Sequence, residues 1–364
     1  MFTSSLTIIW RVSASSAQRA FLISLWTSGV TIGFGVGPLV ATAATTTPDR
    51  QRIFLSIALV AMLSMVVFAV SLIPSVPAPA QRLDLRSQIL GITTALALAF
   101  GVVRGPIAGW TEPQTLLGFA LAAALASVHV LSERVAKEPV TIKARILTTG
   151  VVAPILAGTI VVAATTGIAS TLFLHLTRVR YLDEMETAAR LGILALAAAL
   201  AGALAGRLLW QVGSRVLLVA GLSLMATGVA TLSGLGENAM TFDLGWRLTI
   251  VGVGVGTVVA TTAVVVAHSA PRHLAGTVGA TNLFFWQIGA AMGPVLASAV
   301  RAGQLDLGRN IWQASQLTVA VIAMALFCST LILVVGLVSV VWRSDAANFR
   351  QGESGASVKR ASVR

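Results

Sequence analysis

Ten long apolar runs, almost free of charge in their interiors, constrain this chain more than any motif it contains. They lie at approximately 20–42, 53–73, 85–104, 114–132, 147–176, 187–209, 214–235, 247–268, 275–300 and 314–342. A helix needs about 20 apolar residues to cross roughly 30 Å of hydrocarbon, and each run meets that length. The runs are continuous and lack the period-two alternation of a lipid-facing strand, so they read as helices, which satisfy every backbone N–H and C=O within one segment. The expected fold class is an all-α polytopic membrane protein with about ten transmembrane helices. Composition agrees, with 56% of the 364 residues apolar, 10% charged and a mean hydropathy of +0.88.

Several function classes drop out on the same evidence. The net charge of +12 comes from basic residues scattered singly between apolar runs, not gathered into a nucleic-acid-binding patch. The single cysteine, Cys328, sits inside an apolar run and offers neither a disulfide nor a thiolate metal site. The four histidines lie in separate segments without metal-ligand spacing, so no metal and no other cofactor is expected. GVGVGT, Gly252 to Thr257, fits neither the dinucleotide nor the Walker pattern and lies inside a span, where glycines favour close helix packing. No Ser/His/Asp arrangement offers a catalytic centre, and the chain is not expected to be an enzyme. The first residues, MFTSSLTIIWRV, carry no basic group before their short apolar run and no small-residue cleavage site, so they do not read as a cleaved signal peptide.

An even number of spans puts both termini on one side of the cell membrane, and the basic residues choose which. Placing the N-terminus and every second loop inside collects 16 Lys and Arg residues against 5 acidic ones, whereas the opposite loops hold 8 of each. This twofold bias predicts both termini to be cytoplasmic. Trp10, Trp110, Trp210, Trp246, Trp312 and Trp342 stand at or beside span ends, as an interfacial aromatic belt does.

Two spans share a pattern of small residues. GFGVGPLVAT, Gly33 to Thr42, is echoed 256 residues later by GAAMGPVLAS, Gly289 to Ser298, so that Gly33, Gly37 and Pro38 align with Gly289, Gly293 and Pro294. Gly29 extends the first copy upstream into two overlapping Gly-x-x-x-Gly steps, a face on which a neighbouring backbone can approach closely. Pro38 and Pro294 each remove a backbone hydrogen bond and permit bending. Repeated bundles with a substrate site between them are a common plan among membrane transporters.

These residues resemble the major facilitator superfamily, and in particular its fourteen-span drug:proton antiporters, whose fifth helix carries G-x-x-x-G-P-x-x-G-G. Gly33, Gly37 and Pro38 match that signature, while Ala41 and Thr42 replace its last two glycines. Leu83-Asp84 and Gly109-Trp110 resemble the ends of the first of two helices that link the bundles, and Glu138-Pro139 the junction into the second bundle. GRLLWQVGSR resembles the second-bundle cytoplasmic loop motif through Gly206, Leu208, Gly213 and Arg215, with Trp210 and Gln211 in place of its acid and arginine. Pro271 to Pro294 resembles the loop and helix before the last span.

The resemblance runs from about Arg11 to about Trp342 and covers the family's fifth to fourteenth helices. It implies an incomplete major-facilitator fold lacking the first four helices. On that reading residues 1–78 are a two-helix remnant of the N-terminal bundle, 79–139 two linker helices, 140–343 a complete C-terminal six-helix bundle and 344–364 a cytoplasmic tail. The implied function is export of small lipophilic or cationic drugs by proton-coupled alternating access, the partners being a small-molecule substrate, protons and the lipid bilayer. The alternative is a truncated membrane protein that does not transport, or that partners another membrane protein.

Candidate residues for the substrate or proton path are few, because no acidic residue lies in the middle of a span. Glu186 and Arg190, four residues apart at the entrance of the sixth span, read either as a transport pair or as an interfacial pair fixing helix depth. His129 and His175, near span ends, are of the residue type that serves in proton relays but also suit an interface. In the ninth span Asn282 and Trp286 share a helix face with Gln287 beside them, a lining for a bulky amphiphile or a set of interhelical hydrogen bonds. Trp26 lies in the first span near the position equivalent to Trp286.

Overall fold

The computed structural model describes residues 8–9, 13, 15–45, 51–70, 85–135, 149–236, 241–269 and 275–335. Ten long helices account for nearly all of them: α1 (Ser16–Thr45), α2 (Gln51–Val70), α3 (Leu85–Ala108), α4 (Pro113–Val135), α5 (Thr149–Arg178), α6 (Glu184–Val212), α7 (Ser214–Ser233), α8 (Thr241–His268), α9 (Ala275–Asp306) and α10 (Ile311–Val335). No strand occurs among the described residues. Each expected span coincides with one helix. Eight of the ten are long and apolar enough to cross a membrane; the described apolar parts of α2 and α3, Ile57–Val67 and Ile89–Gly105, are shorter. Trp10, Trp342, Glu138-Pro139, the tail and the boundaries near 78 and 139 lie outside the described residues.

Local chemistry explains where the helices begin and end. Asp183 caps α6, its carboxylate accepting from the Met185 N–H at 3.2 Å, and Glu184 and Glu186 place negative charge at the positive end of the helix dipole. One residue, Gly213, separates α6 from α7, at φ +84° and ψ 155°, a region open essentially to glycine. Its N–H donates to the Leu209 carbonyl at 3.0 Å, closing α6. Serine and threonine hydroxyls inside the spans donate to carbonyls one turn back, such as Thr27 to Ile23 and Thr171 to Gly167. In hydrocarbon those hydroxyls would otherwise lack a partner.

α8 is the centre of the structure, packed between α6 and α7 and also touching α1, α5 and α9. Its sequence is apolar on every side, as a helix enclosed by others must be, and Leu248, Val251, Val258 and Val264 are almost fully buried. The GVGVGT stretch makes this possible. Side chains at Gly252 and Gly256 would meet the Leu194 and Ala198 carbonyls of α6, while one at Gly254 would come within 2.5 Å of the Met225 nitrogen of α7. Alternate glycines thus admit a neighbour on each side, and the packing role expected from the sequence is the one observed. α10 joins this core through Val319, Ala323 and Leu326, and Gln316 Nε2 donates to the Leu235 carbonyl beyond α7 at 2.6 Å.

The remaining helices are peripheral. α3 and α4 pair with each other, joined by a turn in which Arg104 Nε lies 3.3 Å from the Glu112 carboxylate, and α3 touches α9. α2 leans on α1, and its described side chains are all exposed. Exposed Leu, Ile, Val and Met of this density suit contact with lipid.

Candidate substrate cavity

Two helix pairs carry the small residues singled out in the sequence, and they behave differently. In α9, side chains at Gly289 and Gly293 would run into the Thr159 and Ala163 carbonyls of α5. Gly167 of α5 in turn leaves 3.0 Å between its missing side chain and the Gly293 carbonyl. The second copy of the repeat is therefore a backbone-to-backbone contact between α9 and α5. Pro294 follows it within a helix that continues to Asp306.

The first copy does not pack in the same way. A methyl group added at Gly29, Gly33 or Gly37 would meet no atom of the described residues within 4 Å, and all three glycines are exposed. α1 docks on α6 and α8 through a different stripe. Gly206 and Gly202 of α6 receive Ser24 and Ser28, and Gly35 of α1 receives the Ala195 methyl. Ala20, Ser24, Ser28 and Thr42 are buried on that same side. The close approach expected at Gly29, Gly33 and Gly37 is made instead by a stripe one step round the helix. The Ser24 and Ser28 hydroxyls, folded against glycines, fit where larger side chains would hold the helices apart. The signal is present in the sequence as Ala20, Ser24, Ser28 and Gly35 at helical spacing, but the more conspicuous glycines hide it.

Beside this contact, a cavity of about 280 Å³ lies between α1, α5, α6, α8 and α9. α1 contributes Thr31, Phe34 and Pro38, α5 Val162 and Thr165, α6 Leu191 and Ala195, α8 Val255, and α9 Leu283, Trp286 and Gln287. No ionisable side chain is among the lining residues. Such a chamber solvates apolar bodies and orients them with a few polar groups.

Of the candidates expected from the sequence, Pro38, Trp286 and Gln287 reach this cavity. Trp286 is 6% exposed, and its Nε1, without a hydrogen-bond partner among the described residues, rests where a side chain on Gly158 of α5 would stand. Asn282 is buried at 4% exposure with its Oδ1 unpartnered among the described residues, but it does not line the cavity. Trp26 packs against the main core instead. Glu186 and Arg190 do form an ion pair, with Arg190 the more buried partner, outside the lining. In the loop motif Gly206 is a contact for α1, Gly213 makes the turn and Arg215 is exposed. His175 is buried near the C-terminal end of α5. Sequence patterns did not single out Thr31, Phe34, Thr165 and Leu191 as lining, because in an Ala/Val/Leu-rich helix no residue type marks the side that faces a cavity.

The profile of the Major Facilitator Superfamily matches residues 1–294, well over half the chain. The chain belongs to the major facilitator superfamily. Its long apolar helices and the cavity between them suit a superfamily of membrane transporters. Similar proteins include the Methylenomycin A resistance protein of Bacillus subtilis (strain 168), 27% identical over 140 residues, which is 38% of this chain and 29% of that protein. The Multidrug resistance protein Stp of Mycobacterium tuberculosis (strain ATCC 25618 / H37Rv) is 26% identical over 228 residues, 63% of this chain and 42% of that protein. The Methylenomycin A resistance protein of Streptomyces coelicolor (strain ATCC BAA-471 / A3(2) / M145) is 27% identical over 137 residues, 38% of this chain and 29% of that protein. The chain thus matches well under half the length of these curated relatives.

Proposed function

We propose that this chain exports small lipophilic or cationic drugs across the plasma membrane by proton-coupled alternating access. The observation that carries the reading is the apolar cavity walled by α1 on one side and by α5, α6, α8 and α9 on the other. The three resistance proteins to which the chain is similar support drugs as the cargo. In this reading α1 and α2 belong to the first bundle of a fourteen-span antiporter, α3 and α4 are the linking pair and α5 to α10 form the second bundle. Both termini face the cytoplasm. α1 rocks against α6 over the cavity, with Pro38 and Pro294 as points of bending. Glu186, held by Arg190, is the acid assigned to the proton path.

A second reading, a membrane protein that does not transport but pairs with another, draws on the exposed Gly29, Gly33 and Gly37 face of α1, which no described residue covers. Efflux separates the two. Inverted vesicles containing the chain are expected to accumulate ethidium or the uncharged N-phenyl-1-naphthylamine on energisation and to lose that uptake with a protonophore. Vesicles with the protein verified in the membrane and no energy-dependent uptake would leave the pairing reading standing.

A further inference from the structure

The hydrogen bonds of the cavity wall specify its ligand more narrowly than apolarity does. Thr31 Oγ1 donates to the Thr27 carbonyl at 2.9 Å, and Thr165 Oγ1 donates to the Val161 carbonyl at 2.7 Å. Thr166 Oγ1 lies 3.1 Å from both the Val162 and Ala163 carbonyls. A hydroxyl has one proton and two lone pairs. With the proton committed to the helix, each of these side chains has only lone pairs to offer. The indole N–H of Trp286 rests on Gly158, between helices. Gln287 is left as the lining side chain that can donate into the space.

Charge points the same way. The described lining residues include no carboxylate and no basic group, so an ion entering among them would shed water without gaining a counter-charge. An uncharged ligand escapes that cost. Its own O–H or N–H can meet acceptors contributed by α1 and α5, while its apolar body lies against the rings of Phe34 and Trp286.

We infer that the cavity takes uncharged, ring-bearing amphiphiles that carry at least one hydrogen-bond donor, with Thr31 and Thr165 as the acceptors. The inference rests on the export reading for its physiological meaning and narrows that reading to neutral cargo, but its test is binding rather than transport.

Three probes of one skeleton isolate the two variables: 2-naphthol, its methyl ether 2-methoxynaphthalene, and the trimethyl-(2-naphthyl)ammonium ion. Binding to the purified full chain in nanodiscs is measured by calorimetry, with partition into empty nanodiscs subtracted. The naphthol is expected to bind about tenfold more tightly than the ether, the worth of one or two good hydrogen bonds, and the ammonium ion more weakly than either. Thr31→Val and Thr165→Val, each isosteric, are expected to bring the naphthol-to-ether ratio towards one. Thr227→Val, on the exposed side of α7, is expected to keep it. Each single variant is checked for monodispersity, so one that misfolds leaves the other to decide. Equal affinity for naphthol and ether, tightest binding of the ammonium ion, or no binding of any probe would overturn the inference. Naphthol preference without energy-dependent uptake of the uncharged amine N-phenyl-1-naphthylamine into inverted vesicles would overturn export and leave the site standing, whereas such uptake without naphthol preference would do the reverse.

Discussion

The carbonyl oxygen of Ala163 occupies the place that a side chain at Gly293 would need. The Thr166 hydroxyl crowds the same point, so α9 and α5 can meet here only if residue 293 has no Cβ. Overpacking a tight contact costs about 1–3 kcal/mol. Gly293→Ala is therefore expected to lower the thermal midpoint of the purified protein. Gly33→Ala, with open space around it, is expected to leave the midpoint unchanged or raise it slightly, since alanine is the better helix former. Scanning fluorimetry of both variants against the parent checks the contrast, and the reverse order would show that the α5–α9 contact is not as described.

Gly213 carries the α6–α7 connection alone. At φ +84° and ψ 155° a side chain is strained whatever space surrounds it, at a cost of about 1–3 kcal/mol. Gly213→Ala is expected to destabilise the protein by that order, and Gly236→Ala beyond α7, where no positive φ is present, by much less. Urea unfolding followed by tryptophan fluorescence measures the difference.

The turn between α3 and α4 should respond to acid. The Arg104 guanidinium hydrogen-bonds the Glu112 carboxylate and holds it below its ordinary value of 4.5, with the Thr115 N–H and hydroxyl adding to the effect. A carboxyl whose folded pKa is depressed stabilises the folded form above its unfolded pKa and loses that contribution as pH falls through the folded value. Trp110 stacks near Phe119 in this turn, with ring centroids 6.4 Å apart, and reports on it. Its fluorescence is expected to hold steady from pH 7 to about 5 and to change below 4.5. In Glu112→Gln the change is expected to vanish.

Filling the cavity should stop transport without unfolding the protein. Val162 stands on its α5 wall with Leu283 and Trp286 of α9 in the same lining. Val162→Trp adds an aromatic ring to a space of about 280 Å³. Uptake of the uncharged amine N-phenyl-1-naphthylamine into inverted vesicles is expected to fall to near background while membrane abundance stays at the parent level. Retained uptake would place the transport path elsewhere.

Small residues advertise close packing in two helices, with different outcomes. The GVGVGT stretch packs closely as its composition suggests, because glycine at alternate positions has few other uses inside a membrane helix. In α1 the conspicuous glycines and the buried face differ. Two stripes of small residues run along the same helix, Gly29-Gly33-Gly37 and Ala20-Ser24-Ser28-Gly35, and both permit close approach. Nothing within α1 ranks one above the other. The complementary glycines that decide, Gly202 and Gly206, are in α6, more than 160 residues away.

Read alone, the residues establish that the chain is helical and membrane-embedded, and roughly where each of the ten described helices lies. Hydrophobicity is a local and additive property, so a 20-residue window reports it without any neighbour. Packing in three dimensions settles the rest: which face of each helix is buried, that α8 stands at the centre, and that Thr31, Thr165 and Trp286 share one cavity while Trp26 and Asn282 do not. Those outcomes depend on the rotation of one helix against another. In spans built of Ala, Gly, Val and Leu, lipid and protein neighbours solvate a side chain almost equally well, and only the fit of facing surfaces fixes the rotation.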